Sequence, residues 1–293
     1  MSEFLPKHYF RPETASEASQ TLARYKDRCI VIGGGTVIYE LAQRGLLSDV
    51  EALVDLTRLS LDQVKDGERF TSIGASVSLS RLQGSAALHE GRLACIGDAL
   101  REIRPLQVKN LATVGGAVSS CIPFFDLPVA LASVGASVEL NGPHAVRSVP
   151  ILEFQRDFLQ PDLREGEFVS AVLIPHEMAS RASAFSKFAL TGDDWATVNC
   201  ACSLEIVKGV IREARIVFGA VASKPLLAER CGAALVNRRA EAASISKADE
   251  SLDDELGEPI SDHRASSAYR KRVAKLLLRT TLERAFERRG GGG

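Results

Sequence analysis

The run Cys29-Ile30-Val31-Ile32-Gly33-Gly34-Gly35-Thr36-Val37-Ile38-Tyr39-Glu40-Leu41-Ala42-Gln43-Arg44-Gly45 decides how the N-terminal part of the chain is read. Four apolar residues make a short buried strand. Three glycines then let the backbone turn sharply and approach a neighbour closely. Residues 37–44 carry helical spacing, and Gly45 ends the helix. A second strand at Ala52–Asp55 follows, so the chain opens with strand–helix–strand punctuation. Upstream, Thr14 is placed to cap a helix over Ala15–Tyr25.

Outward from this unit, residues 70–75 read as a strand leading into a helix near Ser78. A further helix over 93–103 stops at Arg104-Pro105. Residues 107–126 read as a long irregular segment. A helix from Pro128, a strand at 137–140 and a last strand at 169–174 complete this half. The polar stretch 175–183 breaks the pattern and marks a domain boundary. Beyond it, 196–207 and 210–218 read as antiparallel strands joined by a Lys208-Gly209 turn. Residues 241–259 are acidic and poor in large apolar side chains, which predicts an exposed helix and loop. Residues 265–288 form one long helix, with Tyr269, Val273, Leu276, Leu277 and Thr280 recurring at helical spacing. The expected class is α+β. A domain over 1–176, with subdomains of about 1–58 and 59–176, precedes a second over 180–289.

Composition excludes several function classes. The 293 residues are 45% hydrophobic and 25% charged, as in an ordinary globular chain, with a formal net charge of −1. No basic field exists to draw nucleic acid. Residues 1–10 include Glu3, Lys7 and His8 and lack a signal-peptide apolar core. The longest apolar run, 129–138, holds Ser133, Gly135 and Ser137 and is too short to span a bilayer. The expectation is a cytoplasmic chain without direct membrane insertion. Cysteines stand at 29, 95, 121, 200, 202 and 231 with no C-x-x-C pair; Cys200 and Cys202 share one side of a strand and suit packing. Histidines 8, 89, 144, 176 and 263 are scattered without metal-ligand spacing, so no metal site is expected. Gly290 to Gly293 read as a flexible end.

Three stretches are candidates for chemistry. Gly33-Gly34-Gly35-Thr36, with Ile32 before it, lies between a strand and a helix, where backbone amides and the helix N-terminus suit a phosphate. A tight structural turn uses the same residues. No Lys-Ser or Lys-Thr follows, so the nucleoside-triphosphate loop pattern fails, and Ile38 occupies the third glycine position of a dinucleotide fingerprint. Asp55, at the next strand's end, is read as structural. Ala112-Thr113-Val114-Gly115-Gly116 repeats the paired glycines and hydroxyl in the segment read as irregular. The two turns are placed to clamp one pyrophosphate, with Asp126 either accepting from a ribose or ribityl hydroxyl or capping a helix. The chain's single tryptophan, Trp195, follows a Gly192-Asp193-Asp194 turn, where its ring either shields a flat heterocycle or fills core. Lys187 is a partner for a phosphate or a reduced flavin. No nucleophile elbow and no carboxylate pair stands out, so no catalytic residue is assigned. A ligand clamp without proton-transfer machinery fits a cofactor that carries the chemistry.

At these residues the chain resembles the FAD-binding subunits of the xanthine dehydrogenase and carbon monoxide dehydrogenase family. Gly33-Gly34-Gly35-Thr36 and Thr113-Val114-Gly115-Gly116, with Pro123 and Asp126, match its two pyrophosphate loops. Lys187 and Thr191 to Ala196 match the stretch beside the isoalloxazine ring. Phe218 to Ala222, and Ser261 to Ser266 with Tyr269-Arg270, match its C-terminal domain. The resemblance implies a two-part flavin-binding fold of the vanillyl-alcohol oxidase type, then a small antiparallel sheet with a helical bundle. It implies FAD on this chain, and partners in a small [2Fe–2S] subunit and a large molybdopterin subunit, commonly as two paired heterotrimers. Electrons would pass to NAD, a quinone or another acceptor. Ala117 stands where the family usually has Asn, and Phe125 where it has Ser. Only Cys121 lies where one branch carries four cysteines for a [4Fe–4S] cluster. A free-standing flavin-dependent oxidase or reductase, or a structural subunit that has lost its flavin, are the rival readings. The resemblance implies that substrate specificity lies in the molybdenum subunit.

Overall fold

The computed structural model describes residues 4–88 and 93–288; His89 and the Gly290 to Gly293 end, together with residues 1–3, lie outside the described residues. Near the N-terminus, Cys29–Ile32, Ala52–Asp55 and His8–Phe10 form a three-stranded parallel sheet with Ala52–Asp55 central. Thr14 caps the helix Ala15–Tyr25 through its hydroxyl, which accepts from the Glu17 amide. Ala18 and Leu22 of that helix pack with Val54, Leu56 and Phe168 into a small core.

The second sheet is antiparallel and five-stranded, in the order Val64–Asp66, Phe70–Gly74, Phe168–Pro175, Ser137–Asn141, Val146–Pro150. Its two outer strands were not legible in the sequence, being short and largely polar on one face. Ala94–Glu102 and Asp126–Ser133 share its core, the latter buried along its whole length, and lie against the strands Ala182–Phe188, Val198–Val207 and Val210–Gly219 of the C-terminal half.

Residues 107–126 do not form the irregular stretch expected. Leu106–Leu111 and Val114–Ser119 are short helices, and Thr113 caps the second by accepting from the Gly116 amide. Glycine discouraged a helical reading here, but Gly115 is required by contact. A Cβ on it would stand 2.7 Å from the Ala75 Cβ and 2.9 Å from the Ala75 carbonyl oxygen.

A four-stranded antiparallel sheet follows, ordered Ala182–Phe188, Val198–Val207, Val210–Gly219, Leu226–Leu227, with His176–Ala179 as a short helix just before it. Cys200 and Cys202 are both buried in the core between this sheet and the C-terminal helices. The two helices expected in this half form, but their buried faces differ from those expected. The acidic helix Ala242–Leu256 is amphipathic, burying Ile245, Ala248, Leu252 and Leu256 against the same core. Its acids obscured four apolar positions at helical spacing. In Ser267–Glu287 the buried stripe includes Arg270, Val273, Ala274, Leu277 and Leu278, whereas Leu276 is 58% exposed.

Arg270 is fully buried with its charge answered by Asp262 and both terminal nitrogens engaged, while its Nε has no hydrogen-bond partner among the described residues. It pairs with Asp262 at 2.6 Å, donates to the Ala220 carbonyl at 2.8 Å and bonds the Thr197 carbonyl. Asp98, on Ala94–Glu102, is the corresponding buried acid of the first half. It receives Arg288 at 2.6 Å and Arg284 at 3.3 Å from the far end of the chain, and also pairs with Arg101. No helix among the described residues is long and apolar enough to cross a membrane.

Candidate cofactor site

The two glycine stretches meet, and the contact explains Gly34. A Cβ at this position would lie 1.7 Å from the Leu111 carbonyl oxygen and 2.3 Å from its carbon. No side chain fits against backbone that close. Gly33 likewise faces Thr113, whose hydroxyl would stand 2.7 Å from an added Cβ. Gly35 has φ +72°, the left-handed region that glycine enters without strain, and this turn launches the helix Thr36–Gln43.

The two loops differ in what their amides are doing. No side chain caps Thr36–Gln43, and the first intrahelical bond runs from the Tyr39 amide to the Gly35 carbonyl. The amides of Gly34, Gly35 and Thr36 therefore have no acceptor among the described residues. In the second loop the Val114 amide donates to the Val77 carbonyl at 2.9 Å and the Gly115 amide to the Ala75 carbonyl at 2.9 Å. The Gly116 amide goes to the Thr113 hydroxyl at 3.1 Å. The expected symmetrical clamp of free amides is thus corrected: the first loop offers donors, while the second spends its own within the protein.

Both loops border a cavity of about 900 Å³, a size in the range of small-molecule and cofactor sites. Gly33, Gly34, Gly35, Thr36, Ala112, Thr113, Gly116, Asp126, Lys187 and Trp195 all line it. Ile32, Val114 and Gly115 do not, and stand behind the wall. Asp55 is structural, as expected: it pairs with Arg11 at 3.3 Å, accepts from the Thr57 amide at 2.8 Å and bonds the Tyr9 hydroxyl.

Asp126 and Lys187, read separately from the sequence, are partners. Lys187 Nζ lies 2.8 Å from Asp126 Oδ2, and Asn199 Nδ2 donates to Asp126 Oδ1 at 2.8 Å. Both carboxylate oxygens are engaged, and Asp126 is the first residue of its helix rather than the cap. Burial pushes its carboxyl above the ordinary aspartate value, against the opposing charge and hydrogen bond of Lys187 and the bond from Asn199. Asn199 was missed in the sequence. Its signal is a lone amide inside the apolar run Val198 to Cys202. Gly219, on the paired strand, makes room for it: a Cβ there would meet Asn199 Oδ1 at 2.2 Å.

Trp195 belongs to an aromatic wall that the sequence also concealed. Its ring lies nearly parallel to Phe124, with centroids 6.2 Å apart at 13°, and meets the edge of Phe125 at 5.6 Å and 82°. The Arg264 guanidinium sits 5.3 Å from the Trp195 centroid and pairs with Asp194 at 3.1 Å. Phe125, the residue that departs from the family's Ser, is thus part of the ring stack.

The cavity joins donors for an anion, a buried lysine paired with Asp126 and an aromatic face in one lining, which suits a nucleotide bearing a flat ring. The comparisons agree. Residues 3–177 match the family model described as the FAD binding domain in molybdopterin dehydrogenase, and residues 183–285 match the CO dehydrogenase flavoprotein C-terminal domain. The chain belongs to this family of FAD-binding molybdopterin dehydrogenase subunits. It is 28% identical over 281 residues to the carbon monoxide dehydrogenase medium chain of Afipia carboxidovorans, covering 96% of each. To the glyceraldehyde dehydrogenase medium chain of Sulfolobus acidocaldarius it is 27% identical over 270 residues, covering 92% of this chain and 94% of that one. Among solved structures, reconstituted CO dehydrogenase from Oligotropha carboxidovorans superposes with a TM-score of 0.92 at 27% identity, covering 98% of this chain and 100% of that one. Quinoline 2-oxidoreductase from Pseudomonas putida 86 gives 0.88 at 26%, covering 97% and 98%. The fold is accordingly the two-part FAD-binding architecture followed by a small antiparallel sheet and helices, and the relatives are oxidoreductase subunits.

Proposed function

We propose that this chain is the FAD-binding electron-transfer subunit of a molybdenum hydroxylase, passing electrons from a partner's [2Fe–2S] clusters to an external acceptor such as NAD or a quinone. In this reading a small iron–sulfur subunit and a large molybdopterin subunit complete a heterotrimer, two heterotrimers pair, and the assembly is cytoplasmic. The observation that carries it is the set of unused amides at Gly34, Gly35 and Thr36, opening on a cavity of cofactor size within a family of FAD-binding domains. Bound FAD supplies the redox chemistry, and the protein's residues bind and shape its surroundings.

The first loop would hold the pyrophosphate through those three amides, helped by the helix N-terminus behind them. Ala112, Thr113 and Gly116 close the opposite wall by contact rather than by donation, while Ile32, Val114 and Gly115 fix the shape of the two loops. Asp126 and Lys187 act as one unit: the lysine is the wall's positive charge for a phosphate or a reduced flavin, and the aspartate holds it in place. Trp195 limits access to the ring. The division into 1–176 (1–58 and 59–176) and 180–289 belongs to the same reading. It is supported by the separate sheets of those stretches.

The experiment is the visible spectrum of the purified chain, followed by acid release of its chromophore. Two flavin bands and free FAD support the proposal. A colourless protein that takes up no added FAD overturns it. Affinity purification of the tagged chain from its own cells then tests the assembly: small and large subunits with iron and molybdenum are expected in fixed ratio.

A further inference from the structure

Four observations converge on Arg264. Its guanidinium lies 5.3 Å from the Trp195 centroid and 5.7 Å from that of Phe124, so one cation faces both rings of the cavity wall. Asp194, the residue before the tryptophan, pairs with it at 3.1 Å. The loop carrying it is fastened from below. Asp262 Oδ1 accepts the amides of Arg264 at 2.9 Å and Ala265 at 3.1 Å, and the same oxygen receives the buried Arg270 at 2.6 Å. Finally, Arg264 Nη1 is buried and has no hydrogen-bond partner, so nothing but the ring stack and Asp194 sets that end of the group. Arg264 itself does not line the cavity, whereas Trp195 and Phe124 do.

We infer that Arg264 is a positioning residue: from the C-terminal domain it fixes the plane of Trp195, so that the aromatic wall is formed before the flavin arrives. The inference rests on the reading of this cavity as the FAD site. An indole on a loop otherwise turns about two side-chain torsions, and a ligand that must order it binds more weakly. A guanidinium over the indole, paired with Asp194 and carried on a backbone that Asp262 holds, removes that freedom in advance.

The single tryptophan makes the test direct, because emission from the full-length chain reports one ring. In flavin-free wild type, acrylamide quenching of Trp195, a partly buried ring on the cavity wall, sets the baseline. In Arg264→Met, which keeps the aliphatic stem, the quenching slope should rise above that of wild type and FAD affinity should fall by roughly fivefold, the scale of one lost cation–π contact. Arg264→Lys should recover part of both. Asp194→Asn provides a second route to the same loosening if Arg264→Met fails to fold. A folded Arg264→Met with unchanged quenching overturns the inference. So does a loosened ring with unchanged FAD affinity, since the wall then contributes nothing in advance. Titration of wild type with FAD separates the two levels. Loss of Trp195 emission supports the cavity assignment, and its absence removes that assignment whatever the variants do to the ring.

Discussion

Lys187 and Asp126 meet at 2.8 Å in the wall of the cavity of about 900 Å³, with both side chains almost fully withdrawn from solvent. A buried pair of this kind is costly to make and far costlier to break, because the surviving charge keeps its desolvation penalty without its partner.

Lys187→Met should therefore destabilise the chain by about 3–5 kcal/mol. The loss should also depend on pH. Burial already pushes the Asp126 carboxyl up, and removing the cation takes away its largest opposing influence. The folded variant then holds a proton that the unfolded chain has released, so its stability falls as pH rises above the ordinary aspartate value. Urea unfolding at pH 5 and pH 8 checks this. The variant should lose more relative to wild type at pH 8, and an equal loss at both would mean that Asp126 stays ionised.

Gly34→Ala should strip the chain of FAD and lower its melting temperature, because the new methyl meets the Leu111 carbonyl, which is backbone and cannot swing away. Gly45→Ala is the comparison. It has φ +71° but open space around it, so it carries only the backbone strain of roughly 1–2 kcal/mol and should keep its flavin. Flavin absorbance per mole of protein distinguishes them. Equal retention in the two would show that the contact between the loops does not matter for binding.

The contrast between those glycines shows what the sequence could and could not convey. The strand, turn and helix around Gly33 to Thr36 were legible because local punctuation fixes them. The reason for Gly34 was not, since its neighbour is a carbonyl 77 positions away in the chain. The second loop was misread for a related reason. Paired glycines imply a flexible segment locally, yet Val114–Ser119 is held helical by Ala75 and Val77 on the other side of the turn. The same limit hid the Phe124, Trp195 and Arg264 stack, whose members come from three separate stretches. It also hid the burial of Arg270, which only its distant acceptors explain.

Asp98→Asn tests the join between the two halves. Burial pushes Asp98 up, but the hydrogen bond from Arg288 and the charges of Arg288 and Arg284 outweigh it and hold the carboxyl below the ordinary aspartate value. A depressed folded value means that the stabilisation is present above the unfolded value and lost as pH falls through the folded one. Wild type should thus keep this contribution down to about pH 4, the unfolded aspartate range, and lose it in stronger acid. The variant should be about 3 kcal/mol less stable at neutral pH, with the gap to wild type narrowing in acid. Denaturant titrations across pH measure both.

Cys29 provides a probe of occupancy. It borders the cavity and is only partly buried, whereas the other five thiols are buried. Desolvation raises all of them, Cys121 and Cys231 to about 12. Under native conditions a maleimide should modify Cys29 first, and the reaction should speed up with rising pH as the thiolate forms. Saturating FAD should slow it. Peptide mapping after a timed reaction decides the matter: modification of Cys231 or Cys121 ahead of Cys29 would contradict this ordering.

Two buried acids of the first half, Asp126 and Asp98, find cations beyond residue 180, Asp126 at Lys187 and Asp98 at Arg284 and Arg288 in addition to its neighbour Arg101. The halves are therefore electrically incomplete, like a plug and socket, and neither is an interchangeable part. A chimera joining residues 1–176 to the C-terminal half of a relative would leave Asp126 without its cation and Asp98 with Arg101 alone, unless that relative also brought bases to the same three places. The unit that can be exchanged, in the laboratory or over evolutionary time, is the whole subunit.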